Sequence, residues 1–390
     1  MSELVRQAAQ VLRDGGLVAF ATETVYGLGA DARNSAAVRK IYAVKGRPSV
    51  NPLIVHVTDR IAAKSCALSW PASADTLARA LWPGPLTLVV PRHPSIAPEV
   101  GAGLNTIGLR APSHPLAQQL LEEFAGPIAA PSANRSNRIS PTTAQHVRDD
   151  LGDAVALILD GGACQIGIES TVVDVTGPRP IILRPGSISR QRIADLIGEV
   201  DLVTAPTSPD GPMSSPGQQA LHYAPITPAF GFTADQAHRV LAWCQKNPEQ
   251  SAAILVREDS SALHALARAI PCSAPPRSFT SPGIPGEAGR GACTGEDPLA
   301  LGPLPNPPPE IPGEGEIRSD PCDCPDALVP AGRHRVILMP ADAKMYAASL
   351  YSALRDCDSG DFAVIWVEEP PDASEWTAVR DRISRATRPI

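Results

Sequence analysis

Three features of the 390-residue sequence predict a mixed α/β (α+β mixed) protein built as two sheet domains in series. The length exceeds what one ordinary core serves. Across residues 1–200, short apolar runs alternate with segments of helical period, which implies one domain around a large sheet. After a break rich in Pro, Ser and Gly, a β-α-β-α order resumes, the mark of a small parallel sheet of Rossmann-like type.

Taken in order, "MSELVRQAAQVLRDGG" has a helical pattern with charges inside it, so no signal peptide is expected. Strands are expected at 17–22 (LVAFAT), 52–57 (PLIVHV), 86–91 (LTLVVP), 106–112 (TIGLRAP), 127–133 (PIAAPSA), 154–160 (AVALILD), 170–175 (STVVDV) and 180–186 (PIILRPG). Helices fall between several of them. Ser35 is placed to cap "AAVRKIYAVKG" and Ser73 to cap "ADTLARALW", with Pro-Gly-Pro at 83–85 ending the latter. "HPLAQQLLEEFAG" and "TAQHVRDDLG" each end in a glycine suited to the position just past a helix. The first domain is thus expected over 1–204.

Residues 205–228 read as a linker. The second domain, 229–390, opens with the helix "TADQAHRVLAWCQK", the strand "AAILV" (252–256) and the helix "SALHALARAI". It resumes with the strand "RVILMP" (335–340), the helix "ADAKMYAASLYSALRDCD", the strand "DFAVIWVEEP" and the helix "SEWTAVRDRISRAT". It has no glycine-rich nucleotide fingerprint. Between its halves, at about 273–332, 60 residues hold 14 Pro and 9 Gly. Such a tract cannot bury enough apolar surface to offset its ordering entropy, and an insertion without fixed structure is expected. The "CDC" at 322–324 within it lacks the further ligands a metal site needs.

The formal net charge is −7, unevenly spread. Residues 1–200 carry 19 Lys and Arg against 17 Asp and Glu; the remainder carries 15 against 24. This excludes a protein that coats nucleic acid and leaves room for a local basic site in the first half. The eight cysteines are scattered, with neither zinc nor disulfide spacing, and a reducing cytoplasm is the expected compartment. No apolar run reaches 18 residues, so no membrane span is expected.

Four polar stretches of the first domain could carry chemistry. "ATETVYGLGAD" (21–31) follows the first strand, and its threonines and glycines either admit a ligand close to the backbone or make an ordinary turn. "KGRPSVNPLIVHV" (45–57) sets Lys45, Arg47 and Asn51 in a turn, then His56 in an apolar run. The cations suit phosphate oxygens or a solvated basic turn, and His56 is by default a core histidine. "APSANRSNRISPTT" (130–143) offers Ser132, Asn134, Ser136 and Ser140, either to cradle an anion or to cap the next helix. Finally Ser170 starts one strand and Arg184 ends the next before a Pro-Gly turn, while Arg110 lies in "TIGLRAP". No Ser-His-Asp group, paired carboxylates or cysteine nucleophile stands out. Catalysis by position and electrostatics around a polyanion and a small polar partner is therefore expected.

In this order "TETVYGLGAD", "KGRPSVNPLIVHV", "LWPGPLTLV", "TIGLRAP", "APSANRSNRISPTT", "STVVDV" and "ILRPGSIS" resemble the YrdC-type threonylcarbamoyl-AMP synthases over roughly residues 4–200. "SPGQQALHYAP" and the downstream domain resemble the long, two-domain form. The resemblance implies a twisted YrdC-like sheet with a concave site, followed by a smaller Rossmann-like domain. It implies that L-threonine, bicarbonate or CO2, and ATP with Mg²⁺ give threonylcarbamoyl-AMP and pyrophosphate. A separate tRNA-modifying complex would then carry the threonylcarbamoyl group to adenosine 37 of tRNA. By the same resemblance Lys45, Arg47 and Asn51 hold ATP phosphates, with Lys45 and Arg47 acting on turnover. Thr106, Ser132, Asn134, Ser140 and Arg184 face the nucleotide, and Tyr223 closes over it from the linker. Thr24, His56, Arg110, Ala130 (through its backbone) and Ser170 line the threonine pocket. No metal ligand from the protein and no protein nucleophile are implied.

Two departures stand out. In the linker, Gln218, Gln219, Ala220 and Leu221 replace a basic and an aromatic residue common in the long form, which weakens the expected grip on the nucleotide. Asn137 stands where glycine is common, a substitution that a left-handed turn tolerates. Two other readings compete. An RNA-binding or regulatory protein, with a weak tRNA contact, would show salt-sensitive binding without ATP turnover. A carbamoyltransferase subdomain of the hydrogenase-maturation type would need zinc-finger cysteine spacing that this chain lacks.

Overall fold

The computed structural model describes residues 2–203, 223–267, 270 and 334–390. Linker residues Gln218 to Leu221 and the tract at 273–332 lie outside the described residues.

The first sheet has ten strands: β1 (Val18–Phe20), β2 (Gly27–Asp31), β3 (Ile54–His56), β4 (Leu86–Pro91), β5 (Thr106–Arg110), β6 (Ile128–Ala129), β7 (Leu157–Leu159), β8 (Thr171–Asp174), β9 (Ile181–Arg184) and β10 (Asp201–Leu202). Their order is β10-β9-β8-β4-β5-β3-β6-β2-β1-β7, with parallel and antiparallel pairs mixed. Every expected strand of this half is present, most of them shortened at the ends. β2 falls on residues read as a loop. Its Gly27 and Gly29 lie against Phe20, where a Cβ on Gly29 would come within 2.9 Å of the ring. A glycine-rich segment pressed onto an aromatic can pair as a strand, although its composition argues for a turn. β3 and β5 run parallel and pair His56 with Arg110, so two site candidates from distant segments meet at the carboxyl ends of two central strands.

The helix starts differ from expectation. Asn34 rather than Ser35 caps Ser35–Lys45, its side chain accepting from the amides of Ala36 and Ala37. The helix Ala72–Leu81 starts after Pro71 with no side-chain cap, so Ser73 lies inside its first turn. Pro71 occupies the cap position itself, its carbonyl accepting from the Asp75 amide, and it has no side-chain oxygen to offer the first amides of the helix. The helix Pro115–Phe124 ends on Ala125 in the left-handed conformation, one residue before the expected Gly126.

The second sheet is all parallel: β11 (Ala229–Phe232), β12 (Ala252–Arg257), β13 (His334–Met339), β14 (Val364–Glu368) and β15 (Arg388–Pro389), in the order β13-β12-β14-β11-β15. β11 and β15 are absent from the sequence reading: one is four residues and the other two, too short to show a period. The helices Ala343–Ser359 and Thr377–Ala386 cover one face of this sheet. They share an apolar core with Val25, Ile139 and Ile168 of the first half. At that seam Gly167 has φ +75°, and a Cβ there would lie 2.5 Å from Ala348 Cα. Arg355 clasps Asp150 at 2.8 Å across the same seam.

Candidate active site

β1, β2, β3, β5, β6, β8 and β9 carry the loops and strand ends that line one cavity of ≈ 50 Å³. Of the fourteen candidate residues, Thr24, Arg47, His56, Arg110, Ala130, Ser132, Ser170, Arg184 and Tyr223 border it. Thr106 lies outside, lining a smaller groove that shares Ile54 with the cavity. Lys45, Asn51, Asn134 and Ser140 stand behind the wall, each bonded to a group that borders it or to the loop that does. Larger grooves exist elsewhere on the chain. This cavity is distinguished by buried arginines converging from separate segments.

On one side Arg110, nearly buried, donates from Nη1 to Thr24 Oγ1 (2.8 Å) and from Nε to the Gly84 carbonyl (3.3 Å). Its Nη2 lies 2.7 Å from a Glu23 carboxylate oxygen. Burial pushes the Glu23 carboxyl up, but the Arg110 charge outweighs it and holds the pKa below the usual range. His56 sits beside this pair, edge-on to Phe20. Burial, with the nearby Arg110, drives its pKa down to about 3, so the imidazole is neutral. Its Nδ1 has no hydrogen-bond partner among the described residues.

On the other side Arg47 is held by its own turn. Its Nε donates to the Asn51 carbonyl (3.1 Å), and its Nη2 to Asn51 Oδ1 (2.6 Å) and the Pro52 carbonyl (2.9 Å). Asn51 thus shapes the guanidinium rather than the cavity. Burial lowers the Arg47 pKa to about 10, which keeps it charged at neutral pH. Lys45 Nζ donates to the carbonyls of Ser132 (2.7 Å) and Asn134. Burial, with the nearby Arg47 charge, drives its pKa well below the ordinary lysine value, and the Asp150 carboxylate opposes this only in part. It braces the 130–134 loop, and Asn134 completes that loop by donating to the Arg138 carbonyl at 2.7 Å.

The floor comes from β8 and β9. Arg184 donates to the Ser170 carbonyl (3.1 Å) and to its Oγ (3.2 Å), and Ser170 Oγ lies 2.8 Å from Thr87 Oγ1. Gly186 permits this: a Cβ there would lie 2.4 Å from the Thr171 amide nitrogen. Tyr223, at φ +61°, lays its ring into the cavity wall beside Tyr351, 5.7 Å away.

Four residues that shape the site escaped the sequence reading: Glu23, Glu169, Tyr351 and Arg382. Glu169 borders the cavity and accepts from Ser140 Oγ (2.6 Å), Tyr351 OH (3.0 Å) and Arg382 Nε (2.7 Å). A signal for Arg382 existed. Val379, Ile383 and Ala386 form the buried stripe of its helix, and Arg382 falls on that stripe at helical spacing.

A mixed sheet whose strand ends gather buried arginines, hydroxyls and a neutral histidine around a small cavity defines an enzyme that handles a small polar molecule beside an anion. A family model described as telomere recombination matches residues 10–186, and one described as threonylcarbamoyl-AMP synthase, C-terminal domain, matches residues 188–387. The chain belongs to the threonylcarbamoyl-AMP synthase family. It is 45% identical to the threonylcarbamoyl-AMP synthase of Bacillus subtilis over 247 residues, 63% of this chain and 68% of that one. It is 36% identical to the human threonylcarbamoyl-AMP synthase over 196 residues, 47% of this chain and 68% of that one. Among solved structures, P. abyssi Sua5 complexed with L-threonine superposes with a TM-score of 0.74 at 30% identity, covering 99% of this chain and 96% of that one. The long two-domain form and the mixed-then-parallel fold expected from sequence are those of this structural relative.

Proposed function

We propose that this cavity joins L-threonine, bicarbonate or CO2, and ATP into threonylcarbamoyl-AMP by nucleotidyl transfer, releasing pyrophosphate. The observation that carries the residue roles is the division of the cavity. Arg110, Thr24 and neutral His56 form one interacting group; Arg47 lies within electrostatic range of Arg184 and Tyr223 in a second.

In the first group, Arg110 offers a planar fork to the threonine carboxylate while Glu23 and Thr24 fix its plane. Ser170, the Ala130 backbone and His56 complete the pocket. A histidine titrating near 3 is too weak a base for neutral pH, so His56 orients the amino acid rather than taking its proton. The threonine nitrogen bonds to the carbon of CO2 and loses a proton to solvent, giving a carbamate. A carbamate oxygen then bonds to the α-phosphorus as the bond to the β-phosphate oxygen breaks, and pyrophosphate leaves. Arg47 and Arg184 oppose the charge that grows on it.

Thr106, Ser132, Asn134, Ser140 and Asn51 serve the nucleotide, three of them by shaping the walls described above. Lys45 acts through the loop it braces, and direct contact with phosphate would exchange its carbonyl partners. Tyr223 closes the nucleotide side. Among the described residues no group of three or more His, Cys, Asp or Glu side chains stands together. Glu169 at the cavity and Glu23 behind Arg110 are each paired with an arginine. Mg²⁺ would therefore be held by the phosphates of ATP, where it supplies charge neutralisation. The product would pass to a tRNA-modifying complex that transfers the threonylcarbamoyl group, in the cytoplasm. Among the described residues no helix is long and apolar enough to cross a membrane.

Pyrophosphate release, measured with threonine or bicarbonate omitted in turn, tests this reading. Both omissions are expected to abolish it; release that persists without threonine would overturn the assignment.

A further inference from the structure

Glu169 presents a problem to any polyanion. It borders the cavity within electrostatic range of Arg184 and Tyr223. A carboxylate there repels phosphate and competes for the cations that should bind it. Glu169 is nonetheless buried and charged: burial raises its pKa, and the Arg382 and Arg184 charges bring it below the usual value. The first of those cations comes from the other half of the chain. Arg382, fully buried on the helix Thr377–Ala386, donates from Nε to Glu169 Oε2 at 2.7 Å. Its Nη2 reaches the Glu169 carbonyl at 3.4 Å, and its guanidinium lies 5.4 Å from the centre of the Tyr223 ring.

We infer that Arg382 is a positioning residue through which the second domain cancels the Glu169 charge at the cavity wall and so admits the phosphates of a nucleotide. This rests on the reading that the cavity takes ATP. Every group facing Glu169 fits the role. Tyr351 and Ser140 donate to it as neutral hydroxyls, Tyr223 stacks outside Arg382, and Asp381 is shared between Arg382 and Arg385. Arg382 is thus a cation bonded directly to the carboxylate, with the Arg184 charge acting beside it. Threonine, a zwitterion of no net charge, is insensitive to this balance, whereas ATP is strongly sensitive to it.

The test is a charge cycle in the full chain: wild type, E169Q, R382Q and the double variant. Dissociation constants for ATP and for threonine are measured separately by calorimetry. R382Q is expected to weaken ATP by at least ~10-fold and threonine by less than ~3-fold, since one uncancelled buried charge easily exceeds one decade. The double variant is expected to recover most of the ATP affinity, and E169Q alone to retain it. A double variant as weak as R382Q would show a packing role and overturn the inference. So would R382Q with wild-type ATP affinity. Where R382Q does not fold, E169Q and the double variant, which leave no buried acid unpaired, decide: a tenfold ATP loss in E169Q overturns the inference, and retention in both supports it. A wild type that bound no ATP would overturn the reading of the cavity as well; a wild type that binds it, with unchanged variants, overturns this inference alone.

Discussion

His56 shows how position converts an ordinary side chain into a pH-sensitive one. An exposed histidine takes its proton near pH 6.5, whereas this one holds out to about 3 because burial and Arg110 oppose the cation. Between those values the unfolded chain carries a proton that the folded chain refuses, so acid favours unfolding. The contribution is fully present above pH 6.5 and is lost as pH falls towards 3, with a slope of about 1.4 kcal/mol per pH unit for one proton. Urea midpoints measured from pH 7 to 4 should fall less steeply in His56→Asn than in wild type; equal slopes would show that the imidazole titrates normally. Arg110 makes a second residue-level prediction. Its fork is held on three sides, by Glu23, Thr24 and the Gly84 carbonyl, and a lysine ammonium cannot reproduce that geometry. Arg110→Lys should raise the KM for threonine by about tenfold or more and leave the KM for ATP within a few-fold, because charge is kept and direction is lost.

At the scale of elements, the turn after β9 sets where Arg184 and Ser170 meet. Gly186 passes so close to the backbone of 169–171 that any side chain must push one strand end from the other. Gly186→Ala should cost at least ~1–3 kcal/mol in a urea titration and weaken ATP binding as Arg184 shifts. Gly177→Ala, whose nearest neighbour would be 3.8 Å away, should stay within about 0.5 kcal/mol of wild type and serve as its control. This turn was legible in the sequence, as an arginine before Pro-Gly at the end of an apolar run. So were eight strands of the first sheet, because each is a short apolar run bounded by polar or breaking residues. β2 was not, since its pairing depends on Phe20 covering two glycines that show no strand signal of their own. The pairing of Glu23 with Arg110 was hidden for a different reason. The two are far apart in the chain, and only the strand order β5-β3-β6-β2-β1, which sets the loop between β1 and β2 in the same sheet as Arg110 at the end of β5, brings them together.

At the scale of the whole molecule, the second half was legible as a parallel sheet but not as part of the site. Arg382 and Tyr351 stand in helices whose visible pattern is simply amphipathic, and their target lies more than 180 residues earlier. The docking has a physical consequence. Val25, Ile139 and Ile168 of the first half share one apolar core with the helix Ala343–Ser359. The buried Glu169–Arg382 pair and the Asp150–Arg355 bridge span the same seam. Separating the halves would expose that apolar surface and strand a buried carboxylate, so neither half should unfold while the other stays native. In wild type, tryptophan fluorescence, which reports Trp70 and Trp82 of the first half together with Trp243, Trp366 and Trp376 of the second, should therefore be lost in a single transition at the same urea concentration as pyrophosphate-forming activity. Gly167 is the point at which to break this coupling. It meets Ala348 with no room for a methyl group and at a φ that favours glycine. Gly167→Ala should prise the helix Ala343–Ser359 from the cavity wall, so that activity falls at a lower urea concentration than the fluorescence. Two transitions that stay coincident and unshifted in Gly167→Ala would mean that the seam yields to a methyl group, and that the second half does not hold the site in place through this contact.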